Sequence, residues 1–159
     1  MNQHPDVSVI IPTYNGEKYI AEAIESILGQ SYRDFELIII DDASKDGTWE
    51  IVKRYAAMDE RIRLIKNDNN LGFAENRNKA INLAHGTYIV WQDQDDVSFP
   101  NRISKQYALM KSNEVIGAIG GYMEIFDENR NYGIRTYPEG DRELRKMIFK
   151  FSPVALPAS

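Results

Sequence analysis

The strongest constraint on the fold of this chain is a regular alternation between two hydrophobic patterns. Short apolar runs rich in β-branched residues occur four times, beginning at Val7, Phe35, Ile62 and Tyr88. Each run is followed by a stretch in which apolar residues recur at helical spacing. Continuous apolar strands that alternate with amphipathic helices are typical of a parallel sheet covered on both faces. The sequence therefore predicts an α/β fold, with a mostly parallel, Rossmann-like sheet in three layers.

Two of the predicted helices have recognisable C-terminal limits. The apolar stripe after the first strand ends near Gly29, and the stripe after the third strand ends near Gly86. We interpret Gly86 as the residue just beyond its helix, where glycine is favoured because it adopts the left-handed conformation without strain. We therefore expect the first helix to stop at Gly29 and the third to run up to Gly86.

The last third of the sequence has a different pattern. Beyond Asn113 it indicates two strands joined by a turn between Asp127 and Asn131, which predicts a mixed C-terminal edge to the sheet. A short helical segment and the proline-containing stretch FSPVALPAS follow. A chain of 159 residues without internal repeats or a linker is expected to form one domain, spanning residues 1–159.

Composition narrows the class of function. The formal net charge is −5 and lysine and arginine are not clustered, so we expect no nucleic-acid partner. The chain has no cysteine, which excludes a thiolate nucleophile and a cysteine-ligated metal. The glycine-rich loops of dinucleotide enzymes and P-loop kinases are absent, as is the nucleophile elbow of α/β-hydrolases. The N-terminus lacks the pattern of a signal peptide, and we expect a cytoplasmic protein.

Polar residues are concentrated directly after the four predicted strands. In open α/β sheets, ligands bind beyond the carboxyl ends of the strands. If the strands are parallel, four sets of residues far apart in sequence therefore face one crevice. The sets are Thr13, Tyr14, Asn15 and Glu17; Asp41, Asp42, Ser44 and Asp46; Asn70, Asn76, Arg77 and Asn78; and Asp93, Asp95 and Asp96.

The last of these sets places three carboxylates within four positions, Asp93, Asp95 and Asp96. Like charges this close repel one another unless a positive group is near. Mg²⁺ and Mn²⁺ take oxygen ligands, commonly one or two carboxylates together with phosphate oxygens and water. We therefore interpret the cluster as a site for a divalent cation. The alternative is that Asp96 caps the next helix and Asp93 is a solvated loop residue.

For two other groups of candidate site residues, the sequence leaves two interpretations open. Asp41 and Asp42 either start an Asx-turn before a helix, or one of them accepts hydrogen bonds from ring N–H groups of a nucleobase. Arg77 either lies on a solvated helix face or clamps a phosphate. His4 and His85 show no metal-ligand spacing and are interpreted as structural or exposed.

Several segments, in this order along the chain, resemble the family-2 glycosyltransferases, which have the nucleotide-sugar-binding fold called GT-A. They are VSVIIPTYNGE, FELIIIDDAS, NNLGFAENRN, YIVWQDQDD and FPNRISKQ. The resemblance extends from Val7 to about Lys105. It implies a sheet of the GT-A type with a nucleotide-sugar at the ends of its strands.

The resemblance also implies a role for each matching residue. Along the nucleotide it places four residues of the first loop, Pro12, Thr13, Tyr14 and Glu17, and it makes Asp42 the acceptor for the base. It places Arg77 and Asn78 near the phosphates or ribose, and it makes Asp93 the ribose-side acid. Asp95 is the implied metal ligand, with Asp93 and Asp96 as further candidates.

The implied activity is metal-dependent transfer of a sugar, with inversion, from a nucleoside-diphosphate sugar to a hydroxyl group. A UDP-sugar is the favoured donor, Mn²⁺ or Mg²⁺ the cofactor, and a glycan or lipid-linked molecule the acceptor. Surface polysaccharide or glycolipid synthesis at the inner face of a membrane is the implied setting, with peripheral association through a C-terminal part.

The stretch FSPVALPAS resembles the start of the family's acceptor-side half, where the catalytic base normally follows. We therefore expect this chain to be the donor-binding portion, truncated before that half, with the base beyond Ser159 and no transfer by the chain alone. Two alternatives remain open: a non-catalytic module that binds nucleotide-sugars, and a sugar nucleotidyltransferase, which the lack of a glycine-rich phosphate loop disfavours.

Overall fold

The computed structural model describes residues 4–147, and its strands and helices alternate as predicted. None of the helices in this range combines the length and apolarity that a membrane span requires. The strands are β1 (Val7–Thr13), β2 (Phe35–Asp41), β3 (Ile62–Lys66), β4 (Tyr88–Trp91), β5 (Met123–Phe126) and β6 (Asn131–Arg135). The helices are α1 (Ile20–Leu28), α2 (Thr48–Met58), α3 (Phe73–Leu83), α4 (Arg102–Ser112) and α5 (Asp141–Met147).

The first four strands form one parallel sheet in the order β3-β2-β1-β4. The two central strands are buried along almost their whole length, which explains why their sequences are continuous apolar runs rather than alternating ones. The α/β prediction is therefore confirmed. Because all four strands run in the same direction, the loops that follow them emerge at one edge of the sheet.

Helices cover both faces of the sheet. The chain steps outward from β1 to β2 to β3 and then returns to β4 on the other side of β1. Since parallel crossovers are right-handed, α1 and α2 lie on one face and α3 on the other. On the α3 face, Ala80 joins a buried cluster with Ile10, Ile38 and Ile40.

The prediction that the third helix runs up to Gly86 is wrong. Helix α3 ends at Leu83, and Ala84 already has an extended backbone. Gly86 lies close against β1 instead: a Cβ atom there would be 2.5 Å from the Ser8 nitrogen and 2.6 Å from the Val7 carbonyl carbon. Its N–H donates to the Ser8 hydroxyl at 2.8 Å. A glycine is needed at this position because only it allows the approach of one backbone to another.

A buried carboxylate, that of Glu36, links the strands near their amino ends. Glu36 accepts hydrogen bonds from the Ser8 hydroxyl and from the His85 N–H, both at 2.7 Å, and forms an ion pair with Arg63. Burial alone would raise the pKa of Glu36, but these donors lower it below its ordinary value. Glu36 therefore connects β1, β2, β3 and the segment before β4.

Residue contacts divide the chain into two compact units, Met1–Lys105 and Gln106–Ser159. In the second unit β5 and β6 form with the expected turn, but they pair only with each other, in an antiparallel sheet of two strands. The predicted mixed edge is thus wrong for the described residues, since local alternation indicates a strand without indicating its partner. The stretch FSPVALPAS lies outside the described residues, and the single domain over residues 1–159 stays a prediction.

Candidate functional site

The carboxyl ends of the four parallel strands surround a cavity of about 500 Å³. Every one of the four loops contributes to its wall, so the predicted convergence of these loops is confirmed. Among the residues with predicted roles, Asp42, Asp93 and Asp95 line the cavity together with the whole segment from Pro12 to Tyr14. The remaining lining residues are Asn70, Gly72, Phe73, Asn76 and Gln94.

The loops after β1 and β2 are joined by a set of hydrogen bonds. Asn15, with a positive φ of 48°, donates its N–H to the Ser44 hydroxyl at 2.9 Å and accepts from the Lys45 N–H at 2.9 Å. The side chain of Glu17 accepts from the Gly47 N–H. Glu17 is exposed and lies outside the cavity wall, so the structure gives it a role in holding the loops, and its predicted place along the nucleotide stays a prediction.

Asp42 is buried and holds in place the residues that directly precede α3. Its carboxylate accepts from the Asn67 amide at 2.7 Å and from the N–H groups of Leu71 and Gly72, each at 2.9 Å. These three donors orient Asp42 at the cavity wall, where its predicted contact with a base stays a prediction. Its neighbour Asp41 accepts from the N–H and the hydroxyl of Ser44, three residues on, rather than from the residue two positions on that an Asx-turn uses.

Arg77 forms an ion pair at the edge of the cavity. Its guanidinium lies 4.0 Å from the ring centroid of Phe73 and 4.5 Å from that of Trp91, and it donates to Asp93 Oδ1 at 2.8 Å. The residue is only 7% exposed, which excludes the solvated helix face as its place. Burial lowers the pKa of Arg77 and raises that of Asp93, and the attraction between the two opposes both shifts. Arg77 therefore neutralises Asp93.

Asn78 does not belong to the cavity wall, because it is exposed on α3. The buried amide of this helix is Asn76, which accepts from Asn67 at 2.9 Å and donates to the Ile40 carbonyl. Asn76 belongs to the set that the sequence predicts to face the crevice, and it does line the cavity. It lies four residues before the core residue Ala80 and therefore on the same face of the helix. The predicted role of Asn78 near the phosphates or ribose stays a prediction.

A second arginine, which sequence reasoning missed, supports the acidic loop after β4. Arg102 donates to the Trp91 carbonyl at 2.6 Å, the Gln92 side-chain oxygen at 2.9 Å and the Ser98 hydroxyl at 2.7 Å. Gln92 in turn donates to the Asp96 carbonyl at 2.6 Å. Burial lowers the pKa of Arg102 to about 10, while Asp96 and Asp93 oppose the shift. The guanidinium therefore stays charged, and its hydrogen bonds hold the loop after β4 in place.

The carboxylates of Asp95 and Asp96 differ from that of Asp93, because neither forms a hydrogen bond or an ion pair within residues 4–147. Burial, together with the charges of Asp93 and Asp95, raises the pKa of Asp96 to about 6, and the charge of Arg102 opposes this. Asp96 does not cap a helix, since α4 begins only at Arg102. Arg77 pairs with Asp93, whereas the charge of Arg102 only partly opposes the rise in the pKa of Asp96. Between residues 4 and 147, no hydrogen bond or ion pair engages the carboxylate of Asp95, which is exposed in the cavity wall.

The described residues contain no group of three acidic or histidine side chains arranged to hold a metal ion by themselves. Asp95 still offers an unengaged carboxylate, the hard oxygen donor that Mg²⁺ and Mn²⁺ prefer. A cation there would take its remaining ligands from water or from an anionic ligand in the cavity. The donor set thus fits a cation that is bound together with a phosphate-containing ligand.

Relatives of this chain among curated proteins are glycosyltransferases by name. One is EpsE of Bacillus subtilis (strain 168), which is assigned as a glycosyltransferase. The chain is 48% identical to it over 139 residues, covering 87% of this chain and 50% of EpsE. It is 36% identical over 133 residues to the Escherichia coli UDP-Glc:alpha-D-GlcNAc-diphosphoundecaprenol beta-1,3-glucosyltransferase WfgD, covering 84% of this chain and 51% of WfgD. The chain thus spans about half the length of the curated relatives it matches.

Solved structures with the same fold include TarS 1–349 of S. aureus in complex with UDP. The TM-score is 0.64 at 31% identity, covering 69% of this chain and 33% of that one. The mannosyltransferase PcManGT from Pyrobaculum calidifontis, in complex with GDP-Man and Mn²⁺, matches with a TM-score of 0.64 at 27% identity, covering 75% of this chain and 35% of that one. The model of the family described as Glycosyl transferase family 2 matches residues 8–155. The chain therefore belongs to glycosyl transferase family 2.

Proposed function

We propose that this chain forms the donor site of a glycosyltransferase that transfers a sugar from a nucleoside diphosphate to a hydroxyl group. The observation that carries the proposal is the unengaged carboxylate of Asp95 in a cavity whose other acids, Asp42 and Asp93, are held by donors. One uncompensated negative charge in such a cavity suits a divalent cation, and the cation in turn suits a diphosphate.

The neighbouring residues supply the rest of a nucleotide site. Tyr14 and Phe73 line the cavity, with side chains 40% and 60% exposed, so their rings are open to an apolar partner such as a nucleobase. Arg77 keeps Asp93 oriented at the ribose side, and Asp42 presents its carboxylate beside the loop that begins α3. Pro12 and Thr13 complete the wall nearest the central strand.

Asp95 is the proposed ligand of the cation, which we take to be Mn²⁺ or Mg²⁺. When bound, such a cation stabilises the negative charge of a departing diphosphate. Asp93 is a weaker candidate because it is paired with Arg77, and Asp96 is weaker because it is less exposed than Asp95 and does not line the cavity. The structure of PcManGT in complex with GDP-Man and Mn²⁺, which has the same fold, supports this proposal.

The donor is proposed to be a UDP-sugar, with a GDP-sugar as the next candidate. TarS is described in complex with UDP and with UDP-GlcNAc, and PcManGT with GDP-Man. The name of WfgD includes a diphosphoundecaprenol acceptor, which supports a lipid-linked or glycan acceptor. A cytoplasmic site at the membrane face is part of the proposal only as an expectation of the family resemblance. Inversion at the transferred sugar is part of the proposal, as an expectation of the family resemblance.

A second candidate function is binding of the nucleotide-sugar without transfer. It is favoured by the state of the cavity acids: Asp42 and Asp93 are engaged by donors, and Asp95 is assigned to the cation. None of the three is therefore available as the base that an inverting transfer needs near the acceptor hydroxyl. An assay for sugar transfer by the 159-residue chain, beside a longer version of the gene product, separates the two candidates.

Donor binding is tested by the melting temperature of the chain with UDP, GDP and dTDP and their sugars, each with Mn²⁺, Mg²⁺ or excess EDTA. A ligand bound only by the folded protein stabilises it by about 2.7 kcal/mol at a hundred times its dissociation constant. We expect one nucleotide class to raise the melting temperature, and only when the cation is present. If no nucleotide has an effect, the proposed donor site is wrong.

A further inference from the structure

The backbone pairing between β1 and β4 ends before the acidic loop begins. The last backbone bond of this pairing runs from the Gln92 N–H to the Ile10 carbonyl at 3.1 Å. Strand β1 continues to Thr13, but over these residues it pairs with β2 alone. Within residues 4–147, the main chain therefore provides no bond that would hold the loop carrying Asp95 against the segment carrying Tyr14.

The side chain of Gln94 makes this connection. Its oxygen accepts from the Thr13 hydroxyl at 2.6 Å and from the Tyr14 N–H at 2.9 Å, and its amide nitrogen donates to the Tyr14 carbonyl at 3.3 Å. The carboxamide thus binds both main-chain groups of one residue, as the residue opposite it in an antiparallel strand would. Gln94 lies between Asp93 and Asp95 in sequence, so it joins the acidic loop to the tip of β1.

Space for this carboxamide depends on a glycine in the same segment. A Cβ atom on Gly16 would lie 2.5 Å from the side-chain oxygen of Gln94 and 2.8 Å from its carboxamide carbon. The N–H of Gly16 is itself held by the Thr48 hydroxyl at 2.7 Å, so this backbone is fixed in place. The loop after β1 is therefore shaped to receive the Gln94 side chain.

We propose that Gln94 is a positioning residue that sets the distance between Tyr14, on the nucleotide side of the cavity, and Asp95, on the cation side. The inference rests on the proposed function, because it assumes that one ligand spans both sides. A ligand that spans both sides gains affinity when their separation is fixed in advance, since less ordering is needed on binding. A ligand that touches only the Tyr14 side gains little.

The test compares Gln94→Met with the unaltered chain, using one spanning and one non-spanning probe. Methionine matches glutamine in length but offers neither a donor nor a strong acceptor. UDP with Mn²⁺ is the spanning probe, measured by calorimetry, and uridine is the non-spanning probe, measured by NMR titration. The control is Asn113→Ala, which removes another loop amide whose oxygen accepts a main-chain N–H, that of Val115, in the other unit.

We expect Gln94→Met to weaken binding of UDP with Mn²⁺ about tenfold, a typical size for coupling between two sites, while uridine affinity changes less than about twofold. The control should change neither affinity, and the melting temperature of Gln94→Met without ligand should stay close to that of the unaltered chain. An equal loss for both probes would assign Gln94 a merely structural role and overturn the inference. No loss for either would also overturn it. Failure of the unaltered chain to bind UDP with Mn²⁺ would instead contradict the proposed function.

Discussion

The guanidinium of Arg77 and the carboxylate of Asp93 form an ion pair at 2.8 Å that joins α3 to the acidic loop after β4. Arg77 is held between the rings of Phe73 and Trp91, so its charge has a fixed place. The side chain of Asp93 is 31% exposed and reaches the cavity wall. The pair thus engages Asp93 within the protein, while Asp95 in the same cavity wall is left for a ligand.

Arg77→Met should destabilise the fold by about 1–2 kcal/mol, less than the loss of a fully buried pair because Asp93 retains some contact with water. Much of this cost comes from leaving Asp93 without its counter-ion. The double variant Arg77→Met with Asp93→Asn should therefore lose less stability than the sum of the single variants. Urea unfolding of the four proteins measures the coupling. Additive losses would show that the ion pair contributes little.

Arg102→Met should destabilise the chain by about 2–3 kcal/mol, because three oxygen acceptors of the loop after β4 lose a charged donor. Arg145→Met is the matched control, since Arg145 forms an exposed ion pair with Asp141. We expect the control to leave the urea midpoint unchanged. Equal midpoints for the two variants would contradict the bracing role of Arg102.

Gly86→Ala should cost about 1–3 kcal/mol, since the added methyl group meets the backbone of β1 rather than a movable side chain. Gly117→Ala provides the comparison, because a Cβ there meets nothing within 4 Å. Thermal and urea unfolding of the two variants should differ accordingly. If Gly86→Ala is as stable as Gly117→Ala, the close approach of the two backbones is not required.

The parts of the fold that periodicity encodes were predictable from the sequence. Strands such as β2 are buried on both faces, so they appear as unbroken apolar runs, and α1 presents an apolar stripe that stops at Gly29. Gly86 was misinterpreted because a glycine after a helix has two explanations, a left-handed cap and a close backbone approach. Sequence alone does not distinguish them.

The site was predictable where strand ends carry acids, and not where side chains fold back on loops. Asp93 and Asp95 follow an apolar strand, so their convergence with Asp42 could be inferred from the sheet alone. The contacts of Gln94 and Arg102 depend on the path of a loop that has no periodicity. Glutamine is not unusual in a loop, nor arginine at the start of a helix such as α4, and no pattern in the sequence indicates these partners.

The buried carboxylate of Glu36 predicts a specific dependence of stability on acid. Because its folded pKa lies below its ordinary value, the ionised form stabilises the folded chain above about pH 4.5, and this contribution is lost as the pH falls through the lowered pKa. Glu36→Gln removes the charge at every pH. Its deficit, about 1–2 kcal/mol near pH 5, should therefore shrink toward pH 3 in urea unfolding. A deficit that is the same at both ends of this range would show that the charge of Glu36 is not involved.

The proposed role of Asp95 as the ligand of the cation is tested most directly by calorimetry. UDP is titrated into the unaltered chain and into Asp95→Asn, each with Mn²⁺ and with excess EDTA. Asparagine keeps the size of the side chain and removes its charge, so the fold should keep its melting temperature or gain slightly from reduced repulsion with Asp93 and Asp96. We predict that Mn²⁺ tightens UDP binding to the unaltered chain by at least about tenfold, and that Asp95→Asn loses this effect. Equal tightening by Mn²⁺ in the two proteins would contradict the assignment of Asp95 as the ligand of the cation.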